Sequence, residues 1–151
     1  MPRFELAAVT DADFEELLAL RVAVMRDSLE RIGRFDAARA RERFRSSFEA
    51  RSTRRILVQA TFAGCVALKE EDDALRVDHF YLTAASQRRG LGSAVLAHLV
   101  TQARAAGKPL RVAALVQSDA NRFYQRHGFV PVSQSEWDIE YVHAPGAQVK
   151  L

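Results

Sequence analysis

Gln87-Arg88-Arg89-Gly90-Leu91-Gly92-Ser93 stands between a strand-like run (Leu75 to Leu82) and a strongly helical one (Ser93 to Ala106), and its make-up is that of a phosphate cradle. A turn entering a helix presents backbone N–H groups with no intrahelical acceptor, and the helix dipole adds partial positive charge, so an anion fits there. Gly90 and Gly92 can adopt φ > 0 and have no Cβ to hold a diphosphate away from the amides. Two other phosphate patterns are excluded. No Gly-Lys-Ser/Thr follows, as a P-loop requires, and Gln87 stands where a dinucleotide-binding Gly-x-Gly-x-x-Gly would begin. His98, His127 and His143 lack the mutual spacing of a metal site, and Cys65 is the sole cysteine, so no metal and no internal disulfide are expected. The Cys65 thiol is expected to be buried and inert.

The elements that must position this turn can be read in order. Arg3 to Val9 predicts a first strand. Thr10-Asp11-Ala12-Asp13 then has the form of a capping box, with acid at the positive end of the helix it opens. That helix repeats Phe14, Leu17, Leu18, Val22, Met25, Leu29 and Ile32 at three and four residue steps, and Arg21 falls on the same stripe. Gly33 breaks it. Asp36 can cap a second helix with apolar Ala37, Ala40, Phe44 and Phe48. Arg55 to Thr61 and Cys65 to Glu70 predict strands around a hairpin at Phe62-Ala63-Gly64, followed by Leu75 to Leu82. After the glycine turn, Ala94, Val95, Leu96, Leu99, Val100 and Ala103 form a helical face that stops at Gly107-Lys108-Pro109. Leu110 to Val116 is apolar apart from Arg111, which suits a central parallel strand covered on both faces. Ser118-Asp119 opens a short helix, Ala120 to His127, closed by Gly128. Phe129 to Val132 and Trp137 to Val142 predict a closing antiparallel pair, and His143 to Leu151 a frayed tail.

Composition bounds the class. A chain of 151 residues with 48% hydrophobic content suits a single domain with a real core. No apolar run is long enough to span a bilayer, and the first residues lack a signal-peptide apolar region, so a soluble, cytoplasmic protein without membrane partners is expected. Lys and Arg number 22 against 19 Asp and Glu, a net charge of +3, which does not imply nucleic acid. The densest basic run, Arg39 to Arg45, interleaves with Ala40, Glu42 and Phe44 and reads as the solvated face of a helix.

A second motif gives the first its setting. Ala120-Asn121-Arg122-Phe123-Tyr124-Gln125-Arg126-His127-Gly128-Phe129 has Ala, then Phe-Tyr, then Gly-Phe at the intervals found in the late helix of the GNAT superfamily of N-acetyltransferases. The Gln-x-x-Gly-x-Gly spacing resembles that family's acyl-CoA signature. The element order from residue 3 to 142 is also similar. The resemblance implies a mixed α/β (α+β) fold: a mostly antiparallel, twisted sheet of about seven strands with a parallel central pair, flanked by about four helices. It implies acetyl-CoA as co-substrate and a primary amine as acceptor. Gln87, Arg88, Arg89, Gly90, Leu91, Gly92 and Ser93 would bind the CoA diphosphate, mainly through backbone amides. Phe80, Tyr81 and Leu82 would line the acetyl and pantetheine path, and Tyr124 would lie near the sulfur. Many relatives carry an asparagine six or seven residues before this tyrosine; Ser118 and Gln117 stand there instead. Dimers are common in the family, and an exposed closing strand could supply a homodimer contact.

Acetyl transfer to an amine needs a neutral nucleophile and a proton for the departing thiolate. A lysine-like amine is neutral only about once in 2,500 molecules at pH 7, which adds roughly 4.6 kcal/mol to the barrier unless a base assists. In family members a glutamate occupies the place of Arg76, which leaves Asp78 as the nearest acid on that strand face, either as base or in an ion pair with an arginine such as Arg21 or Arg76. His79, on the opposite face, is the second candidate base or else a hydrogen-bonded core histidine. Tyr124 is the expected acid by the family's usual assignment. Arg21 and Met25 are the expected acceptor contacts. A non-catalytic acyl-CoA sensor would keep the glycine turn and tolerate loss of Tyr124.

Overall fold

The computed structural model describes residues 2–144; of the tail expected from His143 to Leu151, the part from residue 145 onward lies outside the described residues. The elements are β1 (Glu5–Ala8), α1 (Phe14–Arg31), α2 (Ala37–Ser47), β2 (Thr53–Val58), β3 (Thr61–Glu70), β4 (Leu75–Leu82), α3 (Leu91–Ala105), β5 (Leu110–Leu115), α4 (Ala120–Arg126), β6 (Val130–Gln134) and β7 (Asp138–His143). The strands form one seven-stranded sheet in the order β1-β2-β3-β4-β5-β7-β6. β4 and β5 are parallel, and the described ladders β1–β2, β2–β3, β5–β7 and β6–β7 are antiparallel, the mixed sheet expected from the sequence. The chain groups into two compact units: the residues up to Ala67 together with His79–Gly92, and Leu68–Asp78 together with the chain from Ser93 onward.

In the first unit, Thr10 and Asp13 form the expected capping box. The Thr10 hydroxyl accepts from the Ala12 N–H at 3.2 Å and Asp13 Oδ2 accepts from the Thr10 N–H at 2.9 Å, opening a 3-10 turn that leads into α1. α1 buries Phe14, Leu17, Leu18 and, outside the predicted stripe, Leu20. Val22, Met25, Leu29 and Ile32 are only half-buried, so the core face of α1 belongs to its first half. Gly33 takes φ 72 and ends the helix, and Asp36 caps α2 by accepting from the Arg39 N–H at 3.0 Å. α2 contributes buried Ala40 and Phe44. Phe14, Phe44 and Phe48 stack around one another at 5.3–5.5 Å between centroids. The arginines of α2 remain at the surface as the sequence implied; the Arg45 guanidinium carbon lies over the Phe14 ring, 3.8 Å from its centroid.

The first hairpin differs from expectation. Its turn is at Gln59 and Ala60, both left-handed (φ 52 and 65), while Phe62-Ala63-Gly64 lies inside β3. The register passes from Ile56↔Gly64 to Leu57↔Phe62, leaving Ala63 as the extra residue of a bulge. Gly64 serves close approach. A Cβ there would meet the Tyr81 carbonyl oxygen at 2.2 Å and Leu82 Cα at 3.0 Å. Cys65, beside it, is wholly buried, and burial pushes its thiol up to about 12, as an inert thiol requires.

In the second unit, β5 pairs in parallel with β4 over Leu75–Val77 and antiparallel with β7 over its full length. Leu110, Val112 and Ala114 are buried, whereas Arg111, Ala113 and Leu115 are not. The apolar run therefore has one fully covered face, not two. Trp137 sits in the turn before β7, with its carbonyl accepting from the Val116 N–H at 2.8 Å, and His143, expected in the tail, ends β7. β6 is exposed along its length, with Val130 and Val132 at 57% and 59% exposure.

Candidate functional site

The turn from β4 to α3 is a helix entrance with left-handed backbone at two positions. A short 3-10 turn (Ala84–Ser86) follows β4, then Arg88 and Gly90 take φ 63 and 84 before the chain enters α3 at Leu91. Gly90 uses the left-handed conformation expected of it. Gly92 does not: it is the second residue of α3, so its contribution is the missing side chain alone. The second left-handed residue is Arg88, for which the sequence offered no glycine signal. The N–H groups of Leu91, Gly92 and Ser93 belong to the first helical turn, where no intrahelical carbonyl can accept them. Arg88, Arg89 and Gly90 are exposed, and the Leu91 side chain is buried beneath the turn at 3% exposure. Gln87 ties the turn to its strand, its Nε2 donating to the Leu82 carbonyl at 3.0 Å. The Ser93 hydroxyl is 2.9 Å from His127 Nε2. Burial, with the neighbouring Arg126 charge, holds His127 below its ordinary value and favours the neutral ring.

β4 separates its side chains as alternation requires. Val77 and His79 are buried, and Arg76, Asp78, Phe80 and Leu82 are half-buried. Asp78 is ion-paired, but with a different partner from the arginine expected: Lys69 Nζ lies 2.9 Å from Asp78 Oδ2. Arg76 is engaged elsewhere, its Nε donating to Glu71 at 2.8 Å and a terminal nitrogen to Glu140 at 2.6 Å. Burial works against the Arg76 charge, but Glu140 and Glu71 outweigh it and hold the guanidinium above its ordinary value. The position where relatives carry a glutamate is thus the centre of an acidic clamp.

His79 adopts the hydrogen-bonded core arrangement. It is 6% exposed and packs edge-on against Phe44 at 4.9 Å. Its Nε2 is 2.9 Å from Ser47 Oγ and its Nδ1 3.0 Å from the Tyr81 hydroxyl. The Ser47 hydroxyl also lies 3.1 Å from the Arg43 carbonyl, which fixes it beside the ring. The imidazole is thus held between two hydroxyls, one at each ring nitrogen. This Ser47–His79–Tyr81 chain escaped the sequence reading because Ser47 is 32 residues away from His79.

Tyr124 is 6% exposed on α4, with its ring against Phe123, Phe129 and Tyr141. Gly128, at φ 87, ends α4, and the Phe129 N–H donates to the Tyr124 carbonyl at 3.1 Å. Asp119 gives no side-chain cap to this helix. Asn121 instead ties the region together. Its Nδ2 donates to the Leu115 and Ser118 carbonyls at 2.9 and 3.0 Å, and its Oδ1 accepts from the Tyr141 hydroxyl at 2.8 Å. Ser118, in the place of the family asparagine, lies in the turn that Asn121 braces. On α1, Arg21 and Met25 are half-buried, and Arg21 Nε is buried with no acceptor among the described residues. Among those residues no group of three or more metal-ligating side chains is assembled, and no helix is long and apolar enough to cross a membrane.

A mixed sheet with one parallel strand pair, and a left-handed turn leading from the first of those strands into a helix, is an acetyltransferase architecture. The acetyltransferase (GNAT) domain matches residues 25–142, and the chain belongs to this family. No curated protein matches the sequence. Among solved structures, PaiA N-acetyltransferase from Thermoplasma acidophilum, in complex with coenzyme A, is similar at TM-score 0.76 and 16% identity, covering 94% of this chain and 99% of that one. An acetyltransferase from Thermus thermophilus gives TM-score 0.69 at 19% identity, with 93% and 96% covered. N-acetylglutamate synthase from Neisseria gonorrhoeae, complexed with coenzyme A and L-arginine, gives TM-score 0.69 at 18% identity; the match covers 97% of this chain and 34% of that longer one.

Proposed function

We propose that the protein transfers acetyl from acetyl-CoA to a primary amine by direct attack within a ternary complex. The observation that carries this reading is the turn from Gln87 to Ser93, left-handed at Arg88 and Gly90 and exposed from Gln87 to Gly90, which leads directly into the first turn of α3. The CoA diphosphate would lie on the amides of Gly90, Leu91, Gly92 and Ser93, with Arg88 and Arg89 adding charge and Gln87 and Ser93 flanking. The pantetheine and acetyl groups would run along Phe80, Tyr81 and Leu82, and Ser118 is a further proposed CoA contact.

In the reaction the amine nitrogen forms a bond to the thioester carbonyl carbon, whose oxygen takes up negative charge. The C–S bond then breaks, the thiolate takes a proton from the Tyr124 hydroxyl, and the second proton of the attacking nitrogen, left positive by the attack, returns to that tyrosine. The ammonium proton of the bound amine passes to Asp78, directly or through one water, and Lys69 holds the carboxylate in place. Arg21 and Met25 contact the acceptor. The test is released thiol from acetyl-CoA across a panel of amino acids, polyamines, aminoglycosides and peptides. Continuous turnover on any of these supports the assignment, and binding of acetyl-CoA with no thiol release above hydrolysis identifies a sensor.

A further inference from the structure

α1 carries an arginine where its packing calls for an apolar residue. At 100° per residue, Phe14, Leu17, Leu18, Arg21, Met25, Leu29 and Ile32 fall within one arc of the helix. Phe14, Leu17 and Leu18 are covered, at 3%, 0% and 8% exposure. From Arg21 onward the stripe is half-open, at Met25, Leu29 and Ile32. Arg21 therefore sits where the cover of the inward face ends. Its Nε is buried without an acceptor, and no carboxylate pairs with it among the described residues. Arg111 Nε is also buried without an acceptor, but that guanidinium has Glu71 and Asp73 at 3.7 and 3.6 Å. Arg21 as a whole is half-buried, and the unpaired N–H on its buried edge costs free energy unless an acceptor is supplied.

The place matters as much as the charge. Leu17 and Leu18 belong to the apolar cluster against which Tyr81 packs, and Tyr81 stands between Phe80 and Leu82. Arg21 is one helical turn beyond that contact, toward the open half of α1. We propose that Arg21 is the anion anchor of the acceptor site, and that the acceptor is a primary amine bearing a carboxylate and an apolar portion. This rests on the assignment of acetyl transfer along Phe80–Leu82. The edge of a guanidinium formed by Nε–H and one terminal N–H presents two parallel donors that match a carboxylate. Met25 and Leu29, half-open beside it, offer an adaptable apolar wall for the rest of the molecule. Discrimination follows from the donor pair: a carboxamide accepts from only one of the two N–H groups and sets its own NH2 against the other, a decarboxylated amine accepts from neither, and a carboxylate accepts from both and carries the opposite charge.

The experiment compares matched acceptors at equal free-amine concentration: leucine, methionine and phenylalanine, their carboxamides, the decarboxylated amines and an aminoalkylphosphonate. The enzymes are wild type, Arg21→Met and Arg21→Lys, with Met chosen to fill the stripe and preserve the fold. Wild type should favour the carboxylates in kcat/KM by about tenfold to a hundredfold, mostly through KM. Arg21→Met should remove the preference while keeping the CoA-induced rise in melting temperature, and Arg21→Lys should restore part of it. Equal kcat/KM for acids and carboxamides in wild type, or a preference that survives Arg21→Met, overturns the anchor. A phosphonate favoured over its matched carboxylate overturns the choice of anion. Stabilisation of wild type but not Arg21→Met by the amino acids, with no turnover on any amine, keeps the anchor and instead defeats the assignment of acetyl transfer.

Discussion

Gly64→Ala should damage the chemistry from a position that contributes no functional group. A Cβ at Gly64 would lie 2.2 Å from the Tyr81 carbonyl oxygen, against the 3.4 Å at which ordinary contact begins, a shortfall of 3.4 − 2.2, about 1.2 Å. The obstacle is β4 backbone and not the end of a flexible side chain, so relief requires β3 or β4 to move by about an ångström. Overpacking of this kind costs about 1–3 kcal/mol. Taking about 2 kcal/mol, and about 2–4 °C per kcal/mol for a chain of this size, melting should fall by about 4–8 °C. Because the shifted residues are Tyr81 and Leu82, the proposed path of the acetyl group, a misplacement near 1 Å should also reduce turnover by about a hundredfold. Scanning fluorimetry and single-turnover acetyl transfer measure the two effects. Gly33→Ala is the control: φ 72 strains any side chain, yet nothing lies within 4 Å of its Cβ, so it should lose stability and keep its turnover. Wild-type melting and turnover in Gly64→Ala would refute the close approach. A lower melting temperature with full turnover would remove the Tyr81–Leu82 segment from the reaction path.

Tyr124→Phe keeps a ring packed on Phe123, Phe129 and Tyr141, so CoA affinity should stay within a few-fold while turnover falls by about a hundredfold, the low end for acid catalysis because a phenol is a weaker acid than a thiol. Unchanged single-turnover rates would leave the tyrosine a packing role. For Asp78→Asn, the Lys69 pair is about a quarter exposed on both sides, so its loss should cost only about 0–1 kcal/mol after solvent screening. The pH–rate profile then decides: a catalytic Asp78 predicts the largest deficit near pH 7 and partial recovery toward pH 9, as free lysine-like amine rises about a hundredfold. A deficit equal at every pH would assign the ion pair a structural role.

What could be read from the sequence was local. The capping box needs only Thr10 and Asp13, three residues apart, and both of its bonds form. Gly33 and Gly128 mark helix ends because left-handed backbone favours glycine within the same few residues. The late Phe-Tyr and Gly-Phe spacing was sufficient to place α4 beside a closing strand pair. What was missed depends on register or on distant chain. Gly64 reads as a turn residue until β4 is known to press on it, and the true turn uses Gln59 and Ala60, which advertise nothing. Asp78 pairs with Lys69 on the neighbouring strand, a relation no single-strand pattern contains. The sequence places the start of α3 at Ser93 and so offers Gly92 a left-handed role, which in the structure falls to Arg88.

Gly92→Asp tests the cradle with little damage to the fold. An aspartate in the first turn of α3 faces the positive end of the helix dipole and should hold or raise the melting temperature of the unliganded protein, by about 0.3–1 kcal/mol in stability. Gly90→Asp is less clean, since φ 84 would strain its side chain. The same Gly92→Asp carboxylate repels a diphosphate, and losing two charge-assisted bonds should weaken CoA binding by about a hundredfold or more. Melting curves of wild type and Gly92→Asp, each with and without CoA, should show stabilisation by CoA in wild type alone. Equal stabilisation of both proteins would contradict the assignment of Gln87–Ser93 as the CoA diphosphate site.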